Sequence, residues 1–338
     1  MAIGAFIAGL KGPELSRKER SFFRDSNPWG FILFRRNIVD PDQVSVLTAS
    51  LRDCVGRSAP ILVDQEGGRV QRLGPPHWLA YPPGRTYGAL RLNEPPARRE
   101  LARLGARLMA HDLKKVGIDV DCLPVLDVPV PGAHDIIGDR AYADNPDDVA
   151  IYGRAAAEGL LAGGVLPVIK HIPGHGRAFS DSHEALPVVD APRAELEARD
   201  FAPFRMLADM PLAMTAHVVY TAIDAKAPAT TSKKVISKII RGSIGYGGLV
   251  MSDDLSMKAL SGSLTKRAEA AIEAGCDVAL HCNGELDEMI AVAKGVPSLR
   301  GRARRRADAA LARILKVPEP LDLVEARARF AAALAAGA

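Results

Sequence analysis

The sequence predicts an α/β chain closed into a (β/α)8 TIM-type barrel, and three observations lead there. Short apolar runs recur eight times, and longer helical patterns rich in Ala, Leu and Arg separate most of them. A polar or charged residue also stands at the end of nearly every run. Eight strands with intervening helices count out to a barrel rather than a doubly wound sheet.

The predicted strands are Ala5–Leu10, Phe31–Phe34, Ile61–Val63, Val120–Leu126, Leu166–Ile169, Leu212–Ala216, Leu249–Met251 and Val278–Leu280. Helical periodicity falls on Pro41–Cys54, Ala97–Val116, Val149–Ala162, Arg193–Leu207 and Thr265–Ala274. The tail from Ser298 to Ala338 reads as helices closing the barrel, with a break at Pro318 and Pro320. No low-complexity linker interrupts the pattern, so residues 1–338 read as one domain, a normal size for such a barrel.

Composition narrows the function classes. Hydrophobic residues make up 48% of the chain and charged residues 25%, which is ordinary globular usage. The formal charge of +4 is small, and the one dense basic run, Arg300 to Arg306, adjoins a helical pattern and reads as a solvated face. No nucleic-acid partner is expected. No apolar stretch approaches membrane-spanning length, and the N-terminal segment lacks the basic region of an export signal. Cys54, Cys122, Cys276 and Cys282 show no CxxC pairing, which suits a reducing compartment. The expectation is a soluble, cytoplasmic monomer without a cofactor or metal.

Four long segments without periodicity, Gly67–Pro95, Pro129–Asn145, Gly174–Asp190 and Val219–Thr231, each follow a predicted strand. In such barrels these loops build the active site. The strand ends carry Asp64 and Glu66, Asp127, Lys170 and His171, His217, Asp253 and Asp254, and His281. So many charged groups converging on one mouth would be costly without a polar ligand to serve.

Three stretches carry the chemistry. In Gly248-Leu-Val-Met-Ser-Asp-Asp-Leu-Ser-Met257 an apolar strand runs into two carboxylates. Asp253 at the tip suits an inward nucleophile or base, while Asp254 suits capping a following helix. In Lys170-His-Ile-Pro-Gly-His-Gly176, followed by Asp181-Ser-His183, three chemistries fit. Asp181 could hold one imidazole nitrogen of His183 and leave the other free to move a proton; His171, His175 and His183 could ligate a metal; Lys170 could form a Schiff base. In Val63-Asp-Gln-Glu-Gly-Gly-Arg-Val-Gln-Arg72, a carboxylate beside arginines suits a polyhydroxylated ligand, with Arg69 and Arg72 one turn apart if the segment coils. A surface Asp–Arg pair is the plainer reading of the same residues. Arg140, in Gly138-Asp-Arg140, adds a further arginine near the mouth.

Together these motifs resemble family 3 glycoside hydrolases, in the short β-N-acetylhexosaminidase branch of Gram-negative bacteria. The likeness runs from Gly30-Phe-Ile-Leu-Phe-Arg-Arg-Asn37 to Ala274-Gly-Cys-Asp277, and Lys170-His-x-Pro-Gly-His-Gly176 with Asp181-Ser-His183 and Leu186-Pro187 is its most specific part. The resemblance implies Asp253 as nucleophile, His183 as acid/base, Asp181 as its partner, and Asp64, Arg72, Arg140, Lys170 and His171 as the residues that hold an N-acetylglucosamine ring. It further implies a retaining mechanism and a substrate of N-acetylglucosamine linked to 1,6-anhydro-N-acetylmuramic acid, with or without peptide, in cell-wall recycling. Two positions depart from the family pattern: Ile172 where an aromatic is usual, and Arg177 where the loop often has a small or acidic residue. The first is expected to affect packing only; the second, loop opening or contacts to the aglycone.

Overall fold

Eight parallel strands close on themselves, and every one of the predicted strands is among them. They are β1 (Gly4–Ala8), β2 (Pro28–Leu33), β3 (Ile61–Val63), β4 (Val120–Asp121), β5 (Leu166–Ile172), β6 (Leu212–Thr215), β7 (Leu249–Asp254) and β8 (Val278–His281). Strand β1 pairs with both β2 and β8, which seals the ring. The structure is a computed structural model that describes residues 2–90, 95–178, 186–314 and 317–337. Strand β4 stops well short of the predicted Leu126, because Pro124 has no N–H to give the ladder. Its continuation still leans on β5, where the Leu126 N–H donates to the Lys170 carbonyl.

Side chains alternate across the barrel wall, with one slip in β2 where its pairing with β1 shifts register. Trp29 and Ile32 of β2, Leu166 and Val168 of β5, and Leu249 and Met251 of β7 share one apolar cluster, the barrel interior. Phe31, Leu33, Ile169 and Val250, one step out of phase, join the larger cluster between strands and helices. This two-residue period decides the active site, because whatever follows in phase at the carboxyl end must also point inward.

The helices form where caps and periodicity agree. Asp40 caps Pro41–Val55 through the Gln43 N–H, Asn145 caps Pro146–Ala162, and Ser263 caps Leu264–Ala274. The predicted helix over Arg193–Leu207 is instead two short ones, Arg193–Ala198 and Ala202–Met206. Pro203 cannot donate to the Arg199 carbonyl, and the chain turns there to bury Asp200 and Phe201. Helices Arg17–Ser26 and Leu286–Gly295 escaped the sequence reading. The first has a capping box in which Ser16 and Glu19 exchange hydrogen bonds. After β8, helix Gly301–Leu311 seats Ala307 and Ala310 in the interior cluster beside Trp29, at the amino-terminal end of the strands. Helix Leu323–Gly337 lies elsewhere, against the outer helix Pro95–Lys115. No described helix is long and apolar enough to cross a membrane.

Trp29 anchors this floor at 1% exposure, yet its indole Nε1 meets no hydrogen-bond partner among the described residues. Trp29→Ala should therefore cost about 4 kcal/mol in denaturant unfolding, as a large cavity opens in the floor. Trp29→Phe removes the unsatisfied donor along with the extra ring, and should cost less than about 1.5 kcal/mol. Equal losses for the two variants would show that the indole N–H, not the volume, matters.

Candidate active site

In four of the strands the inward phase carries apolar floor into polar mouth. Val168 is followed by Lys170, Leu62 by Asp64, Met251 by Asp253, and Leu280 by Cys282, each two residues on. These residues, with Glu66, Arg72, Arg140, His171 and Asp254, line a cavity of about 270 Å³ at the carboxyl end of the barrel. Phe34 and Met257 add apolar wall. The loop after β4 folds over one side through Ile136 and Ile137, which the sequence marks only as an apolar pair in a polar loop.

Lys170 is the hub. It is 2% exposed, and its Nζ lies 2.8 Å from Asp64 Oδ1 and 2.6 Å from Glu66 Oε1. Arg72 Nη2 reaches Asp64 Oδ2 at 3.2 Å. Arg140 clasps Glu66 with two 2.8 Å hydrogen bonds from Nε and Nη2. Burial pushes the Lys170 ammonium toward neutrality, but the two carboxylates outweigh it and hold its pKa above the ordinary value. A lysine so firmly charged is a poor Schiff-base nucleophile, so that chemistry does not fit the site. Burial likewise opposes the charges on Asp64 and Glu66; Lys170 with Arg72 keeps Asp64 well below the usual range, and Arg140 with Lys170 holds Glu66 down at about 2. The segment carrying Arg69 and Arg72 is a tight antiparallel hairpin of Gln65–Gly67 and Val70–Gln71, not a helix. Gly67 takes φ +89° there, and an added Cβ would strike the Pro82 carbonyl at 2.2 Å.

Two further residues escape the inward series. The pairing of β5 with β6 shifts between Lys170 and Ile172, and that of β7 with β8 shifts between Met251 and Asp254. Such irregularities re-aim side chains, and both His171 and Asp254 line the cavity out of phase. His171 Nδ1 sits 2.7 Å from Asp127 Oδ2, while Asp127 Oδ1 accepts from the His171 and His175 N–H groups. Burial raises the Asp127 pKa, but His171 and these hydrogen bonds outweigh it, so the carboxylate is ionised. It can only accept, which puts a proton on His171 Nδ1 and leaves Nε2 as the ring's other polar atom. Burial, then the neighbouring His171, push His175 down to about 4.

Asp253 is ionised too. Burial works against its charge, but His217, His171 and the Asp254 N–H, 2.8 Å from Asp253 Oδ1, keep its pKa below the ordinary value. Asp254 caps no helix, contrary to expectation. It holds a turn and the end of β8, accepting from Ser256 N–H at 3.0 Å, Ser256 Oγ at 2.6 Å and Cys282 N–H at 3.1 Å. Behind this corner His217 Nε2 lies 2.9 Å from the Asp254 carbonyl, which can only accept, so Nε2 carries the proton. His217 Nδ1 lies 2.7 Å from Thr230 Oγ1, whose hydroxyl also donates to the Ala216 carbonyl at 3.1 Å.

The strand-end residues thus do not all meet at one mouth. Asp127 and His217 stand behind it as supports, and His281 turns away to Glu288 at 3.0 Å. Asp64, Arg72, Arg140, Lys170, His171 and Asp253 are brought together; Asp181 and His183 lie outside the described residues. Among the described residues no group of three or more His, Cys, Asp or Glu side chains is arranged to hold a metal. Ile172 is fully buried in the layer beneath the helices, a packing position. Arg177 points away from the cavity, 2.7 Å from both Glu195 and Asp200.

The sequence profile described as "Glycosyl hydrolase family 3 N terminal domain" matches residues 6–317, nearly the whole barrel. The chain belongs to glycoside hydrolase family 3. A beta-hexosaminidase of Alkalilimnicola ehrlichii is 42% identical over 287 residues, covering 84% of this chain and 82% of that protein. NagZ from Neisseria gonorrhoeae, solved in complex with N-trifluoroacetyl-D-glucosamine, superimposes with a TM-score of 0.88 at 32% identity, over 99% of each chain. A family 3 beta-N-acetylglucosaminidase from Paenibacillus sp. gives 0.82 at 33% identity; the match covers 99% of this chain but 62% of that longer one. This family 3 chain is a glycoside hydrolase of the beta-hexosaminidase type.

The ion network makes an acid-range prediction. Folding favours the charged form of Glu66, so its contribution is complete above about pH 4.5 and vanishes as pH falls through about 2. Glu66→Gln should lose on the order of 2–3 kcal/mol at pH 7, and the gap to wild type should close as pH falls from about 5 to about 2. Denaturant unfolding across that range measures it. A gap independent of pH would mean that the Glu66 charge plays no part.

Proposed function

We propose that the chain is a retaining exo-β-N-acetylglucosaminidase, which removes a non-reducing terminal N-acetylglucosamine through a covalent glycosyl-enzyme on Asp253. The observation that carries this reading is the setting of Asp253: an ionised carboxylate at the tip of β7, aimed into a cavity walled by paired hydroxyl-binding groups. About 270 Å³ suits one sugar ring rather than a chain, in keeping with action at a terminus.

Retention needs a nucleophile and a proton donor about 5–5.5 Å apart across the scissile bond. Asp253 attacks the anomeric carbon, and the bond to the leaving oxygen breaks as His183 protonates it. His183 then takes a proton from water, whose oxygen attacks the same carbon and frees Asp253. Asp181 holds the other imidazole nitrogen. An ordinary histidine pKa of about 6.5 suits both directions of transfer at neutral pH. Asp64, Arg72, Arg140, Lys170 and His171 bind the ring; because their charges are already paired, they need little rearrangement when hydroxyls arrive. The acetamide is recognised and does not attack. The likeness to family members that act on or bind acetamido sugars supports N-acetylglucosamine at this position. The substrate that the reading implies is N-acetylglucosamine on 1,6-anhydro-N-acetylmuramic acid, with or without peptide, cleaved in the cytoplasm during cell-wall recycling.

The test is release of 4-nitrophenol from its β-N-acetylglucosaminide and its β-glucoside. Wild type should turn over the acetamido sugar alone. Asp253→Ala should lose at least about 10³-fold in kcat, and His183→Ala should be slowed more on a natural disaccharide than on this good leaving group. Turnover of both sugars, or indifference to Asp253, overturns the assignment. Asp127→Asn should lower kcat/KM by about 10²-fold or more, because an amide can no longer be relied on to accept from His171 Nδ1.

A further inference from the structure

The hydrolase reading uses one end of the barrel and leaves the other unexplained. At the amino-terminal end a second cavity, of about 500 Å³, opens between the segments entering β6 and β7 and the helix Gly301–Leu311. Met210 and Pro211 line it from the first segment, Gly247 and Gly248 from the second. The helix contributes Arg302, Arg305 and Arg306, and Arg313 follows just past its end. Positions 302, 305, 306, 309 and 313 fall on one helical stripe, whereas Ala307 seats in the barrel floor.

The arginines here are under-compensated. Asp277 serves Arg306 through Oδ1 and Arg241 through Oδ2, both at 2.8 Å. Asp209, the one carboxylate in the wall, is held by Arg154 at 2.7 Å. Among the described residues the Arg313 side chain reaches only the Asp209 backbone carbonyl, at 2.6 Å. The side chains of Arg302 and Arg305, in helix Gly301–Leu311, make no hydrogen bond or ion pair among the described residues. Four guanidiniums therefore line one concave surface whose single carboxylate, Asp209, is already held by Arg154, and this focuses positive potential into it.

We propose that this cavity binds a small organic ligand carrying two or more linked phosphates, of the nucleoside diphosphate class. Guanidinium forks match phosphate oxygens in pairs, and each phosphate brings more charge than a carboxylate. Arg302 and Arg313 stand eleven residues apart, a rise of about 16 Å if helical throughout, so one phosphate cannot serve both ends of the stripe. Met210, Pro211, Ala309 and Ala310 supply the apolar surface against which a flat ring would lie. The volume falls within the range of small-molecule sites.

The experiment is isothermal titration calorimetry of the full chain with ADP, AMP and pyrophosphate at about 0.15 M salt, with N-acetylglucosamine present to occupy the sugar site. Support is one-to-one binding of ADP at least about tenfold tighter than AMP, weakened at least about tenfold in the double variant R302E/R305E. R302K/R305K should retain part of the affinity. Both variants lie at the far end from Asp253, so unchanged hydrolysis of the 4-nitrophenyl sugar serves as the folding control. Absence of ADP binding overturns the proposal, as does binding indifferent to R302E/R305E. Binding of a DNA duplex or of phosphatidylglycerol vesicles without binding of ADP also overturns it, and assigns the patch to a macromolecular surface.

Discussion

Lys170 sits inside a barrel, almost without solvent, and a lone ammonium there would cost several kcal/mol or shed its proton. What keeps it charged is the pair Asp64 and Glu66, and what keeps those ionised is Lys170 with Arg72 and Arg140. With Asp253 added, three cations face three carboxylates, and no member is tolerable without the others. Because the partners come from β5, from the hairpin after β3 and from the loop after β4, the network ties three parts of the wall to one geometry. Removing one partner would leave a buried charge exposed to no compensation, the costly case for ion pairs.

A second layer of hydrogen bonds sets the orientation of groups that the network does not reach. Asp127 accepts from the ring of His171 and from two backbone N–H groups of the same loop, so one carboxylate fixes a tautomer and a turn together. Thr230 and His217 do comparable work behind Asp253–Asp254: the imidazole donates to the Asp254 carbonyl, and its other nitrogen meets the Thr230 hydroxyl. Burial lowers the His217 pKa, and the neighbouring Asp253 carboxylate opposes that shift. The nucleophile proposed at Asp253 thus rests on a corner held from behind, with its own carboxylate steadied by the next backbone N–H.

The two ends of the barrel are chemically unlike. At the carboxyl end, cations and carboxylates are matched and buried, which suits a neutral, hydroxyl-rich ligand that exchanges hydrogen bonds with pre-paired groups. At the amino-terminal end, arginines exceed their partners and remain partly exposed, which suits an anion. The run Arg300 to Arg306 reads in sequence as a solvated helix face, and Arg304 with Asp308 fits that reading. Arg302, Arg305 and Arg306 gain a different meaning only because the chain entering β6 and β7 walls them into a cavity.

By itself the sequence determined the strands, the barrel and most of the cavity lining, because each depends on a local period. Alternation along a strand needs only two-residue spacing, so Lys170 after Val168 and Asp253 after Met251 could be read as inward from the string alone. The supports were not legible in this way. Asp127, Glu66 and His217 were visible as strand-end charges, but their partners lie 13 to 74 residues away along the chain. The tertiary structure alone decided that Asp254 holds a turn, that His281 faces outward and that Arg177 binds Asp200. It also decided where the strand pairing slips and brings His171 into the cavity. Those outcomes depend on which groups the closed barrel brings within hydrogen-bonding distance, and a buried charge takes whatever partner closure provides.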